Sequence, residues 1–130
     1  MPTSRFGGGE VFPGRWEFSR ERLLDYYTEL RREPERLVAV FDSLEPLWKD
    51  GDPTTRIIQG YQLNVQGEGD FFEAMGMKQG DIVRSVNSVD MTNRTRAEAF
   101  IEAFVLGELD TFVIDLERDG EPTQHVYVTQ

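Results

Sequence analysis

Residues 76–87 read GMKQGDIVRSVN and form the most informative segment of the chain. Gly76 is placed to end a short helix, because a left-handed residue there costs a non-glycine about 1 kcal/mol or more. Gly80 makes a turn, within which the Asp81 carboxylate can accept backbone N–H groups. Val83 and Val86 then supply the apolar side chains of a strand. The segment therefore predicts a helix end, a tight turn and a buried strand in direct succession.

The segments that follow alternate between strand and helix patterns. Val89-Asp90-Met91 is predicted to be a short strand, and a helix capped by Thr92 or Asn93 runs to about Leu106. Apolar residues at 112, 114 and 116 alternate strictly with polar ones, which is typical of a strand. Asp119-Gly120 then favours a tight hairpin, with Val126 and Val128 on the returning strand.

The N-terminal part of the chain divides into two predicted pieces. Residues 1–18 are rich in glycine and show no sustained period, so we predict a flexible lead-in. Residues 19–55 are predicted to be a helical extension of two short helices, with Ser19 as the first N-cap and Glu33-Pro34 as the break. The second helix carries an apolar stripe at helical spacing, formed by Leu37, Phe41, Leu44 and Trp48.

The segment 76–87 is similar to the Gly-Leu-x-x-Gly-Asp-x-Ile-x-x-Val-Asn-Gly signature of PDZ domains. Ser88 departs from this pattern, since the family usually has glycine there. The resemblance covers residues 56–130 and implies an α+β fold. That fold is a PDZ-like, partly open antiparallel β-sandwich of five or six strands with two helices, here preceded by the N-terminal helical extension.

Gly60-Tyr61-Gln62-Leu63 resembles the glycine-hydrophobe-glycine-hydrophobe loop with which PDZ domains bind a peptide C-terminus. Arg56, four residues earlier, matches a basic residue that often assists in this family. Gln62 replaces the second glycine, and the alternative interpretation of these four residues is an ordinary strand start. The resemblance also places a helix near Thr95 on the far wall of the peptide groove. The implied peptide-binding residues are Arg56, Gly60, Tyr61, Gln62, Leu63, Arg96 and Phe100.

Two further marks resemble the periplasmic PDZ domain of the type II secretion system C component. They are NSVDMT at residues 87–92 and LERDG at residues 116–120, and SRERLLDYY at residues 19–27 is similar to the helix that leads into that domain. The resemblance implies a periplasmic domain of an inner-membrane-anchored bacterial protein that contributes to assembly or recruits protein substrates. The alternative is the regulatory PDZ domain of a periplasmic or membrane-bound protease.

The residues themselves argue against catalysis. The chain has no cysteine and one histidine, His125, which is predicted to be exposed or half-buried on a terminal strand. Glu68, Asp70 and Glu73 lack the spacing of a recognised calcium loop, so we predict neither a metal nor another cofactor. The chain is therefore predicted to be a non-enzymatic interaction module.

The charge of the chain bears on its partners. The formal net charge is −10, and residues 61–130 hold five Lys and Arg against thirteen Asp and Glu. Such a field repels phosphate backbones, so we expect no nucleic acid partner. The expected partners are a protein or peptide, bound in the groove or by strand addition, and other secretion-system subunits. No segment of the sequence is long and apolar enough to span a bilayer, so any membrane contact requires a segment absent from this chain.

Overall fold

The computed structural model describes residues 5–130, which form a mixed sheet and four α-helices. Two short 3₁₀ turns, Lys49–Gly51 and Pro53–Thr55, lie between the third and fourth strands. The helices are α1 (Arg20–Arg32), α2 (Pro34–Asp42), α3 (Gly69–Ala74) and α4 (Arg94–Val105). The strands are β1 (Gly9–Phe12), β2 (Arg15–Phe18), β3 (Leu44–Trp48), β4 (Ile58–Leu63), β5 (Ile82–Val86), β6 (Val89–Asp90), β7 (Thr111–Arg118) and β8 (Glu121–Thr129).

The sheet has the strand order β1-β2-β8-β7-β5-β4-β3, and β6 pairs with β5 outside this path. Every pairing among β4 to β8 is antiparallel, which agrees with the predicted arrangement of residues 56–130. The predicted hairpin is present, with Arg118 paired to Glu121 across the turn. The α+β class is confirmed. The sheet has eight strands, rather than the expected five or six, because the N-terminal part of the chain contributes three.

The predicted flexible lead-in is wrong for the residues that the structure describes, while residues 1–4 lie outside them. β1 and β2 form an antiparallel hairpin, and β2 pairs in parallel with β8, from Arg15–Val126 to Phe18–Thr129. The side chains of Trp16 and Phe18 are 5% and 3% exposed. Short strands around glycines give almost no periodic signal, so this hairpin was not visible in the sequence.

The helical extension is partly confirmed and partly corrected. The Ser19 hydroxyl accepts the Arg22 N–H at the start of α1, and Pro34 opens α2, as expected. However, α2 ends at Asp42, so Leu44 and Trp48 lie on β3 instead of a helix. Their spacing from Leu37 and Phe41 fits a helix, but Leu44 and Trp48 form a strand because they pair with β4.

A cluster of buried side chains joins the N-terminal segment to the rest of the chain. Aromatic rings dominate this cluster, with Trp16 stacked on Tyr127 at 5.2 Å between ring centroids. Phe6 lies edge-on to Tyr26 at 4.9 Å. Its buried members are Phe6, Trp16, Phe18, Tyr26, Leu30 and Tyr127. The sheet and the helices α1 and α3 therefore share one core that crosses the predicted boundary at residue 56.

Gly76 occupies a position that an alanine cannot take without strain. Its φ is +70°, and a Cβ there would lie 2.2 Å from Cζ2 of Trp16. We expect Gly76→Ala to lower the free energy of unfolding by about 2 kcal/mol, since backbone strain and overpacking both contribute. Urea unfolding measures the change. Gly120→Ala is the matched control, because φ is +79° there but no atom lies within 4 Å of the new Cβ. Equal losses in both variants would contradict the proposed clash with Trp16.

Candidate functional site

The main candidate site is an apolar cavity between the inner face of the sheet and the helices. It encloses about 370 Å³, within the range of small-molecule pockets in proteins. β5 and β7 form its floor and α1, α2 and α4 its walls, and α4 contributes Arg94, Ala97, Phe100, Ile101, Phe104 and Val105. We refer to this space below as the α4 cavity.

Apolar side chains of the sheet line the α4 cavity and are only partly buried, although a sheet covered by helices normally buries such side chains fully. Val83, Val86, Phe112 and Ile114 point from β5 and β7 into the cavity, and each is only half-buried. An apolar molecule in the cavity would therefore remove apolar surface from water, at about 25 cal/mol per Å².

Arg94 is the single charged residue on the lining of the α4 cavity. It is exposed at the start of α4, and its guanidinium carbon lies 5.6 Å from the centroid of the Phe41 ring. Burial raises the pKa of the Tyr61 phenol, and the positive charge of Arg94 partly opposes this. Within residues 5–130, Arg94 takes part in none of the ion pairs.

The edge strand β3 lies beside the α4 cavity, which Leu44 also lines. The Leu63 N–H donates to the Asp81 carbonyl at 2.8 Å, and the Leu63 carbonyl accepts the Gly80 N–H. Both backbone groups of Leu63 therefore form hydrogen bonds on the side of β4 that faces away from β3. Leu44 is the residue opposite Leu63 and thus forms a non-hydrogen-bonded pair with it. The Leu44 N–H and C=O therefore point to the free side of the sheet. Pro46, two residues on, has the same orientation and leaves no N–H unpaired.

The four residues predicted as a carboxylate loop lie in the strand that pairs with β3. Gly60 to Leu63 lies inside β4, which has β3 on one side and β5 on the other. Gly60 packs closely on β5, since a Cβ at this position would lie 2.7 Å from the Val83 carbonyl oxygen. Tyr61 and Gln62 are paired with both neighbouring strands and the Leu63 N–H donates to the Asp81 carbonyl, which is the geometry of the alternative interpretation, an ordinary strand. Arg56 is exposed, with φ +58°, at the end of the 3₁₀ turn before β4.

The two residues predicted on the groove helix occupy different surroundings. Phe100 lines the α4 cavity. Arg96 is exposed outside the lining, and its Nη1 donates to the Asp90 carbonyl at 2.8 Å. The sequence analysis did not consider Arg94 as a site residue. The spacing of Arg94 with Ala97 and Ile101, at i, i+3 and i+7, is the signal that places it on the cavity face.

The buried polar groups behind the sheet hold the fold together. Burial of Asp81 would raise its pKa, but the Arg118 guanidinium at 2.7 Å and the Lys78 N–H at 2.8 Å outweigh this and hold the pKa below its usual value. His125 is 2% exposed, which corrects the predicted exposed or half-buried position. Burial lowers the pKa of His125, the nearby Arg118 adds to this, and its Nδ1 lies 2.8 Å from the Tyr127 hydroxyl.

The helix pair α1–α2 is joined to the loop before α3 by a polar contact at one side of the α4 cavity. Arg36 on α2 contacts both carboxylate oxygens of Glu68, at 3.1 Å and 2.6 Å. The Tyr26 hydroxyl on α1 donates to the same carboxylate at 2.7 Å. The guanidinium holds the pKa of Glu68 below its usual value against the effect of burial. These contacts fix the position of both helices above the loop that leads into α3.

No group of three or more metal-ligating side chains occurs among residues 5–130. In the same part of the chain, no helix has the length and apolar character needed to cross a membrane.

The comparison with solved structures bears on the fold. The PDZ domain of EpsC from Vibrio cholerae has 20% sequence identity and a TM-score of 0.51, with 84% of this chain and 97% of that chain covered. A shorter form of the same EpsC domain has 21% identity and a TM-score of 0.47, with 65% and 90% covered. The PDZ domain of the pullulanase C protein of the type II secretion system from Klebsiella pneumoniae, in complex with fatty acid, has 21% identity and a TM-score of 0.46, with 66% and 81% covered. No protein-family model and no curated protein matches the chain. The first likeness confirms the predicted PDZ-like fold.

Proposed function

We propose that this chain, which has a PDZ-like fold, is a non-enzymatic module that binds an extended protein segment along the free edge of β3. The observation that carries the proposal is the orientation of Leu44, whose N–H and C=O point away from β4. An added strand satisfies both groups with main-chain hydrogen bonds, a recurring mode of peptide recognition. Pro46 limits the pairing to a short segment, because it offers a carbonyl but no donor.

We further propose that the module belongs to a type II secretion system, as the periplasmic part of an inner-membrane-anchored protein. The marks NSVDMT and LERDG support this proposal, together with the fold that the chain shares with the EpsC PDZ domain. Its partners would then be other subunits of the system or the proteins that it exports. The role is assembly or recruitment.

The binding mode favours an internal segment over a free C-terminus. Tyr61, Gln62 and Leu63 are paired within the sheet, which disfavours a cluster of their N–H groups around a terminal carboxylate. Phe100, on the cavity side of α4, and the exposed Arg96 stay in the proposal as contacts of the bound segment. Arg56 is an exposed cation before β4, and in this binding mode it has no terminal carboxylate to contact.

A pair of matched peptides tests the mode of binding. A binder is first selected from a library displayed inside a carrier loop and is then synthesised as a free acid and as an amide. We expect both forms to bind with equal affinity in the micromolar range, about −8 kcal/mol, because backbone pairing does not involve the terminus. Isothermal titration measures the affinities. A tenfold loss of affinity on amidation would instead support binding of the terminal carboxylate by residues 60–63.

Hydrogen exchange identifies the bound edge directly. The Leu44 amide should gain protection when the peptide binds, whereas the Glu45 amide should change little because Glu45 already pairs with Gln62. N-methylation of the one peptide residue that pairs with Leu44 should weaken binding at least tenfold, while methylation of its neighbour should not. Peptide binding with no change at Leu44 would contradict strand addition on β3.

A further inference from the structure

His125 lies where the N-terminal hairpin is joined to the rest of the sheet. It belongs to β8 and is 2% exposed, and the Trp16 ring of β2 lies against it at 4.4 Å between ring centroids. We propose that His125 is an acid-sensitive latch, in which protonation of the buried imidazole releases β1 and β2 from β8. This regulation does not depend on strand addition at β3, which lies at the other end of the sheet.

The hydrogen bonds around His125 define its neutral form. The Tyr127 hydroxyl donates its single proton to the Met75 carbonyl, so its oxygen accepts from His125. His125 Nδ1 lies 2.8 Å from that oxygen and is therefore the protonated nitrogen of the neutral ring. Burial raises the pKa of the Tyr127 phenol, which stays neutral throughout. Nε2 is then the nitrogen that gains a proton on acidification.

The charged groups that face the imidazole come from three parts of the sheet. Arg118 on β7 opposes protonation, whereas Asp81, in the turn before β5, and Glu10 on β1 favour it. Asp81 is bound to Arg118 through both carboxylate oxygens, so the effects of this pair on the ring have opposite signs. Burial is the larger effect and lowers the pKa of His125. Contact with the Trp16 ring would offset only part of the hydration that an imidazolium loses.

The hairpin is the element that can move away from a charged His125 most easily. β8 pairs with β7 along the whole length of β7, whereas β2 has four residues and β1 lies at the edge of the sheet. Movement of β2 would take Trp16 off the imidazole and admit water to it. Release would leave β8 as an edge strand, with the Val126 N–H freed from the Gly14 carbonyl that it now contacts at 2.8 Å.

The pH range of the latch follows from proton linkage. In the released form His125 is in water, with the ordinary pKa of about 6.5, and in the paired form its pKa is lower. The contribution of the neutral ring to pairing is therefore complete above about pH 6.5 and is lost as the pH falls through the lower pKa. Between the two pKa values, the ratio of released to paired protein rises by up to about tenfold per pH unit.

Amide hydrogen exchange, measured by NMR between about pH 7.5 and about pH 5, tests the latch in the unaltered chain. The Val126 amide reports release of the hairpin, and the Leu63 amide, which donates to the Asp81 carbonyl, reports the rest of the sheet. After correction for the intrinsic rate, protection at Val126 should be at least about tenfold lower than at Leu63 and should fall by up to about tenfold per pH unit.

Two results of this experiment would overturn the proposal. Equal protection at Val126 and Leu63 would mean that the hairpin leaves β8 only when the whole protein unfolds. Protection at Val126 that does not change with pH would mean that His125 does not control the pairing.

Two variants assign the effect to the imidazole. His125→Phe keeps an aromatic ring beside Trp16 but cannot bind a proton, so protection at Val126 should become independent of pH in this range. Glu10→Gln removes an exposed carboxylate that favours the imidazolium, so the loss of protection should move to lower pH. An unchanged pH profile in His125→Phe would overturn the latch. If that variant does not fold, NMR titration of the His125 ring in the unaltered chain decides, because a pKa of about 6.5 or above would overturn the proposal.

Discussion

Trp16→Ala is expected to lower the free energy of unfolding by about 4 kcal/mol, the typical loss when a buried tryptophan is truncated. Trp16 is 5% exposed and its ring lies 4.4 Å from the His125 ring and 5.2 Å from the Tyr127 ring, between centroids. The substitution would open a cavity on the face of β2 and β8, beside Gly76. Urea unfolding followed by circular dichroism at 222 nm measures the change.

Phe12→Ala provides the control for this prediction. Phe12 lies on the same hairpin, at the end of β1, but it is 66% exposed. Its substitution should change stability by no more than about 0.5 kcal/mol, as is usual for surface positions. A small effect in both variants would mean that the N-terminal hairpin does not contribute to the core, as the sequence alone had suggested.

Arg118→Met is expected to destabilise the protein by about 3 kcal/mol at neutral pH. Arg118 donates to both carboxylate oxygens of Asp81, which is 1% exposed, and to the Gly76 carbonyl. Removing the guanidinium leaves a buried carboxylate without its cation, which is far more costly than the loss of an exposed pair. Arg84→Met is the control, because the Arg84–Glu117 pair is about one-third exposed and should contribute less than about 1 kcal/mol.

The effect of Arg118→Met should depend on pH with a definite sign. In the intact protein the pKa of Asp81 lies below its usual value, so the pair stabilises the fold above the unfolded pKa of about 3.9. This contribution is lost as the pH falls through the folded pKa. In the variant, burial still raises the pKa of Asp81 while the Arg118 contribution is lost and the Lys78 N–H remains, so the pKa lies higher than in the intact protein. The difference in stability between the two proteins should therefore shrink as the pH falls from the pKa of Asp81 in the variant to its lower pKa in the intact protein, and a constant difference would contradict the assignment.

The predictable part of the fold is the part with strong local signals. Strict alternation identified β7, the Asp119-Gly120 turn identified the β7–β8 hairpin, and the segment 76–87 identified the end of α3 and the start of β5. The cap of α4 is Asn93, one of the two candidates, with its side chain accepting the Arg96 N–H at 2.9 Å. These features depend on neighbouring residues, which a sequence pattern can represent.

The candidate site was less predictable because its geometry depends on distant partners. The sequence of Gly60 to Leu63 resembles a carboxylate-binding loop, but the segment belongs to β4, an inner strand between β3 and β5. Leu44 has the spacing of a helical residue but belongs to the edge of the sheet. Arg94 and Arg96 differ by two positions, which is enough to place one on the α4 cavity and the other outside it. Pairing and helix phase decide these positions, and neither is fixed by local composition.

The parallel pairing of β2 with β8 has a consequence for the order of folding. Arg15 and Val126 are more than one hundred residues apart in sequence, yet they are neighbours in the sheet. The entropy of closing so long a loop makes this contact slow to form, whereas the β7–β8 hairpin closes locally. A chain emerging from the ribosome must therefore carry the rings of Trp16 and Phe18 unburied until β8 has been synthesised. During that interval the N-terminal segment presents aromatic surface to chaperones and to other nascent chains.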